Sequence, residues 1–238
     1  MADSGERTRL NCLLAALPER ELAAVRAHSE EVELIQRETL YEAGEILEHV
    51  WFPHTGVVSL VTEFKAGQPV EIATVGSEGM AGLPLLLGSD QIASRAFVQV
   101  PGTGARIGAE AFRSLLPECP AFEQLLRRYT LALINQIGQN AACNRTHTVE
   151  ERCARWLLMT QDRVYQPTFP LTQEFLGQML GVRRPTVSLA AGMLQKAGLI
   201  HYVRGEITVL DRSGLEGAAC ECYGIIRGEF ERLVGTAG

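Results

Sequence analysis

Residues 171–204, LTQEFLGQMLGVRRPTVSLAAGMLQKAGLIHYVR, constrain this chain more tightly than any other stretch. Their pattern is helix, tight turn, helix, strand. The Thr172 hydroxyl is placed to accept a hydrogen bond from an unpaired amide in the first turn of a helix. Phe175, Leu176, Met179 and Leu180 recur at helical spacing and give that helix one apolar face. Gly181 supplies the left-handed conformation that ends a helix at little cost. Pro185 suits the first turn of a second helix, where a backbone N–H would have no partner in any case. That helix is expected to reach about Gln195, with Val187, Ala190, Ala191 and Leu194 facing inward. Arg183, Arg184, Thr186 and Ser188 are left at its exposed start.

Two short helices with basic and hydroxyl residues at the second N-terminus match the DNA-binding helix-turn-helix. Between Arg183 and Arg204 there is no Asp or Glu, while Arg183, Arg184, Lys196 and Arg204 are all cationic. A strand after Leu199-Ile200, a tip at Arg204-Gly205-Glu206 and a returning strand over 207–210 make the pattern a winged helix. The competing reading is a helical hairpin with a solvated basic edge; turn, wing and charge together favour double-stranded DNA as partner. A net charge of −6 over 238 residues does not oppose this, because the cations are clustered.

The stretch resembles the recognition region of the Crp–Fnr superfamily of bacterial transcription regulators, and the resemblance runs over nearly the whole chain. It implies an α+β fold. A β-roll of the jelly-roll kind, similar to a cyclic-nucleotide-binding domain, would occupy residues 1–118 with its N-terminal helices. A long dimerisation helix and hinge would occupy 119–148, and a winged helix-turn-helix with a C-terminal helix 149–238. Composition agrees: 46% hydrophobic and 21% charged content suits a globular chain long enough for two cores. No apolar run approaches a membrane span, and residues 1–9 lack the features of a secretory signal. The six cysteines are therefore expected as reduced thiols, and the location as cytoplasmic.

In chain order, helices are expected over 8–29, with Leu10, Leu13, Leu14 and Leu17 on one face and Leu22 and Val25 continuing after Pro18. Short strands punctuated by Gly and Pro follow at 33–38, 51–52, 57–64, 70–75, 96–100 and 103–107, spacing typical of a sandwich or barrel. Leu40-Tyr41-Glu42-Ala43-Gly44-Glu45 is similar to an early turn of the cyclic-nucleotide-binding roll, and 53–58 resembles its next strand-to-turn step. A short helix over 109–116 closes the roll.

In relatives that bind cyclic AMP, a Gly-Glu-Leu motif and a later Arg-Ser pair form the phosphate cassette. Here Leu83 stands where that Glu belongs, and Ser94-Arg95 where Arg-Ser belongs. A one-residue slip on a strand turns the side chain to the other face. Ile137 and Gly138 align with the hydroxyl pair that meets the base. The resemblance thus implies a retained roll without cyclic AMP binding and an unidentified effector, if one exists. Glu78 and Arg95 are the charged pocket candidates; a solvated loop ion pair is their competing reading.

A long helix is expected over 121–145. Phe122, Leu126, Tyr129, Leu133 and Ile137 recur three and four apart, with Asn140 and Asn144 extending the line. Such a seam fits a two-stranded coiled coil or a helix lying on its own roll; the resemblance implies the former, and a homodimer. Thr146-His147-Thr148 is the expected hinge, Thr148 and Glu151 the capping box of a helix over 149–163, with Cys153, Trp156, Leu157 and Leu158 inward. Residues 165–170 are expected as a loop; in relatives a loop here can touch RNA polymerase, which makes the polymerase a partner.

By the same resemblance Arg184 aligns with the Arg that forks onto guanine O6 and N7. Pro185 replaces a cytosine-reading Glu and Leu189 a second reading Arg, so the operator should differ from that of the cyclic AMP receptor protein. Arg183, Thr172 and Ser188 are candidates for phosphate contact, beside the reading that they are ordinary surface residues. No cofactor or metal is expected. An iron–sulfur branch would need closely spaced N-terminal cysteines, and only Cys12 is there. Cys220 and Cys222 are expected on one C-terminal helix over 213–234, pointing apart; Cys119 and Cys143 stand isolated. His28, His49, His54, His147 and His201 form no local motif. The jelly roll is shared with cupin enzymes, but no His-x-His pair occurs and no nucleophile–base arrangement is evident, so no enzyme is expected.

Overall fold

The computed structural model describes residues 10–65 and 69–235; Thr8, the expected start of the first helix, lies outside them. Helices α1 (Cys12–Ala15) and α2 (Glu19–Ala27) precede a β-roll built from β1 (Ser29–Leu34), β2 (Thr39–Tyr41), β3 (His49–Pro53), β4 (Val57–Thr62), β5 (Val70–Val75), β6 (Arg95–Val100) and β7 (Gly102–Gly108). The strands form two antiparallel sheets, ordered β1-β7-β3 and β2-β6-β4-β5. The first strand lies four residues earlier than its expected span of 33–38. Arg37 adopts a left-handed φ of 70° and Ile35 is exposed, so the chain turns where the alternation seemed to continue. Strand β2, only three residues long, is too short to show a period.

Helix α3 (Ala109–Glu118) closes the roll and α4 (Pro120–Thr146) runs back across it. Phe122, Leu126, Tyr129 and Leu133 are buried within the chain, and the Tyr129 hydroxyl donates to the Met80 carbonyl at 2.9 Å. Phe122 sits between the rings of Phe52 and Phe112, at 5.8 and 6.1 Å. These residues therefore fill the core of their own roll and are not the seam of a coiled coil. Asn140, expected on the same seam, donates to the Ile72 carbonyl and accepts from Arg155.

Helix α5 (Val149–Val164) begins with the expected capping box, in which Thr148 and Glu151 satisfy each other's backbone amides. The winged helix follows as β8 (Thr168–Pro170), α6 (Gln173–Leu180), α7 (Arg184–Lys196), β9 (Ile200–Val203) and β10 (Glu206–Val209), with sheet order β8-β10-β9. Half of the expected 165–170 loop is thus an edge strand. Its two prolines argued locally for a loop, but pairing of Phe169 with Ile207 is tertiary, and Pro170 is tolerated at an edge. The expected single C-terminal helix is two, α8 (Arg212–Ala218) and α9 (Cys222–Val234), broken by extended backbone at Ala219. Helix α9 packs along α4, with Asn135 donating to Glu229 at 2.6 Å.

Helix α5 buries more than its apolar stripe. Arg152, Arg155 and Arg163 are all buried, and the helix is wedged between the winged helix and the β4–β5 side of the roll. Glu71 of β5 lies in this contact. It accepts from Ser59 Oγ at 2.8 Å and from Trp156 Nε1 at 2.9 Å. Burial pushes its carboxyl up from the ordinary 4.5 to about 7, partly offset by those two hydrogen bonds and by Arg163 and Arg155. A carboxyl whose folded-state pKa is raised favours folding when protonated. Its contribution is therefore full below about pH 4.5 and lost as pH rises to about 7. Glu71→Gln should flatten the fall in urea midpoint across that window, a difference of roughly 3 kcal/mol. An unchanged slope in the variant would refute this assignment.

Candidate nucleic-acid interface

The helix-turn-helix forms for reasons local to its sequence. Thr172 Oγ1 accepts from the Phe175 amide at 3.2 Å and starts α6. Gly181, at φ 64°, ends it, and the Val182 amide closes the turn on the Gly177 carbonyl at 2.9 Å. A Cβ added to Gly177 would meet the Val182 carbonyl oxygen at 2.9 Å, so the tight turn itself requires glycine there. Arg152 of α5 donates to the Leu180 carbonyl and ties the end of α6 to the helix behind it. Val187, Ala190, Ala191 and Leu194 of α7 face inward, as their spacing predicts.

The outward face is assembled from the expected residues. Arg183, Arg184, Pro185 and Leu189 are exposed at the start of α7, and Leu189 keeps 69% of its surface. Thr186 is half-buried. Ser188 is committed within the motif: its hydroxyl bonds Gln173 Oε1 at 2.7 Å and the Arg184 carbonyl at 3.1 Å. Thr172, Gln173, Arg184, Tyr202 and Arg204 line one groove between the helices and the wing. At the wing tip Arg204 and Gly205 both take positive φ, 49° and 83°, the paired left-handed geometry of a two-residue hairpin turn. Sequence reasoning overlooked Met193, 56% exposed one turn beyond Leu189 on the same face. Its spacing of four from Leu189 carried the signal.

The two charged effector-pocket candidates are each tied to a partner outside the expected set. Glu78 is held by Arg163 of α5, whose Nε and Nη2 donate to Oε1 at 2.9 and 2.7 Å. Arg95 pairs with Glu63 at 3.3 Å and lies over the Phe97 ring. Ser94 is buried, Leu83 begins a short 3-10 turn, and Ile137 packs half-buried on the core. Glu78 does line a cavity of about 620 Å³ between α5 and α9, with Arg163, Tyr165, Arg212, Tyr223 and Arg227.

The break between α8 and α9 corrects the expectation that Cys220 and Cys222 point apart on one helix. Cys220 precedes α9 and Cys222 opens it, and Cys143, expected to be isolated, and His147, expected in no local motif, meet them. The ligand atoms of all four residues lie within 4.8 Å of one another.

Residues 31–119 match the family model of the cyclic nucleotide-binding domain, and residues 151–218 that of the Crp-like helix-turn-helix domain. Among solved structures, FixK2 from Bradyrhizobium japonicum is similar at 18% identity and a TM-score of 0.68, over 81% of this chain and 98% of that one. The regulator CLP of Xanthomonas campestris, described as responsive to c-di-GMP, is similar at 16% identity and a TM-score of 0.65, over 81% and 99%. A mutant of CooA from Carboxydothermus hydrogenoformans gives 17% identity and a TM-score of 0.61, over 89% and 96%. At these identities the solved structures establish the fold. No curated protein matches the sequence.

Proposed function

The chain belongs to the Crp–Fnr family of DNA-binding transcription regulators, not enzymes, and we propose that it acts as a cytoplasmic homodimer on a near-palindromic operator without control by cyclic AMP. The observation that carries the reading is the exposed Arg183–Arg184 pair at the start of α7, in a winged helix with no acid from residue 183 to residue 204. Arg184 would read guanine, Leu189 would offer an apolar contact to a thymine methyl, and Arg183 and Thr172 would meet phosphate. Ser188, whose hydroxyl is held by Gln173 and the Arg184 carbonyl, would fix the first turn of α7 against α6. On this reading the chain divides into a sensor-like roll at 1–118, a pairing helix and hinge at 119–148 and a reading unit at 149–238. Among the described residues no helix is long and apolar enough to cross a membrane.

Support for the dimer comes from the face of α4 opposite its own roll. Arg127, Leu131, Ile134, Gly138, Ala141 and Arg145 are exposed and recur four and three apart, the spacing of a coiled-coil seam. Leu131 and Ile134 keep 46% and 57% of their surface, and the small Gly138 and Ala141 would let two helices approach closely. Leu131→Asp/Ile134→Asp should convert a sedimenting dimer to monomer at micromolar concentration and abolish cooperative occupation of two half-sites. A wild-type chain that sediments as a monomer would count against the pairing. The loss of cyclic AMP control rests on Leu83 at the expected glutamate position and on the commitment of Glu78 to Arg163 and Arg95 to Glu63. RNA polymerase would meet the exposed residues 166–168. A second reading, gating by an unidentified effector, is favoured by the cavity at Glu78, since a ligand there would touch both α5 and α9.

A further inference from the structure

We propose that Cys143, His147, Cys220 and Cys222 form a closed, tetrahedral zinc site that clasps the C-terminal helices to the end of the long helix. The proposal does not depend on the DNA reading. Cys143 lies in the last turn of α4 and His147 is its C-cap, one turn on, where the His147 amide still donates to the Cys143 carbonyl at 3.1 Å. Cys220 lies two residues before α9 and Cys222 opens it, where the break after α8 brings both thiols to Cys143 and His147.

Distances favour one ion. Cys143 Sγ lies 3.5 Å from Cys220 Sγ, and Cys222 Sγ lies 3.5 Å from His147 Nδ1. Zinc–sulfur and zinc–nitrogen bonds of about 2.3 and 2.0 Å in a tetrahedron give ligand-to-ligand edges of about 3.5–3.8 Å. A two-iron cluster would divide its ligands between two metals and spread them farther. A disulfide needs its sulfurs about 2.05 Å apart and would leave the other thiol and the imidazole without a role.

The surroundings suit a bound cation. All three cysteines are buried, and they form a cluster of their own apart from the main apolar core. Gln139 Nε2 donates to Cys222 Sγ at 3.1 Å, the arrangement expected around a thiolate. His147 Nε2 faces Glu221 Oε2 at 3.1 Å, which would hold the proton on Nε2 and turn Nδ1 toward the ion. Thr146 Oγ1 also lies 3.3 Å from Nδ1, but it donates to the Ala142 carbonyl at 2.9 Å. Three thiolates, a neutral imidazole and Zn²⁺ leave one negative charge, and Arg155 acts electrostatically on both Cys143 and Cys220. Three cysteines and one histidine with no open position make a structural rather than a catalytic zinc set. Because α4 ends at the hinge and α8–α9 follow the wing, the ion would cross the hinge and limit how far the winged helix can swing.

The test is metal analysis of the full chain, purified under reducing conditions without chelator. About one zinc per chain is expected, and the metal-free protein should take up Co²⁺ with the intense sulfur-to-cobalt absorption of tetrahedral thiolate sites. Cys143→Ser/Cys222→Ser should lose both signals. Glu221→Gln alters an exposed side chain, leaves every ligand in place and should weaken zinc affinity by about 10–100-fold. A reduced, folded wild-type chain that takes up neither Zn²⁺ nor Co²⁺ would overturn the proposal. So would metal retained in full by the double serine variant, or a Cys143–Cys220 disulfide in protein purified with reductant.

Discussion

Arg184→Ala should remove the preference for guanine at one position of each half-site, raising affinity for mismatched sites toward that for the selected one. A bidentate Arg–guanine pair contributes about 1–3 kcal/mol of discrimination, roughly 5–150-fold. The expectation follows from position. Arg184 opens α7, is exposed, and shares its groove with Arg204 of the wing, while the first turn of α7 contains no acid. Its neighbour should behave differently. Arg183, the residue before the helix, would meet phosphate, so Arg183→Ala should weaken binding to all sequences alike and lower the salt slope by about 1. Competition binding against single-base variants of the selected site, at two salt concentrations, separates the two. If Arg184→Ala discriminates as well as wild type, another side chain reads the base.

Arg163→Met should be the most damaging single change to stability, costing about 3–5 kcal/mol. Arg163 is buried and Glu78 largely covered, with side chains 7% and 15% exposed, and the guanidinium also donates to Thr74 Oγ1 at 2.6 Å. Removing the arginine leaves the Glu78 carboxylate in a low-dielectric contact without its counter-charge. Arg163→Met/Glu78→Leu should recover most of the loss, because the cost lies in the orphaned charge rather than in the missing pair. Urea midpoints of the two variants decide: equal losses would place the effect in packing alone. Since this pair joins the roll to α5, loosening it should also free the winged helix from its docked position.

The parts of this molecule legible in the sequence are those governed by neighbours in the chain. Thr172, Gly181, Pro185 and the Arg204-Gly205 turn each act within a few residues, and together they defined the winged helix and its basic edge. The long helix was equally visible, but its direction was not. Phe122, Leu126 and Tyr129 present an apolar face whatever covers it, and only the fold shows that their own roll does so, leaving Leu131 and Ile134 outward. The buried arginines of α5 were hidden because their partners, Glu78 and Asn140, come from other elements. Cys143 and Cys220 lie 77 residues apart and meet only because extended backbone at Ala219 breaks a stretch whose local pattern reads as one helix.

The most direct test of the central claim is selection of bound sites from random duplex DNA, run with the purified chain under reducing conditions and again in cell extract. The account predicts enrichment of a two-fold symmetric motif whose half-sites are centred about 10 base pairs apart, one helical turn. Binding that recovers no shared motif under either condition, with affinity set by salt alone, would contradict it.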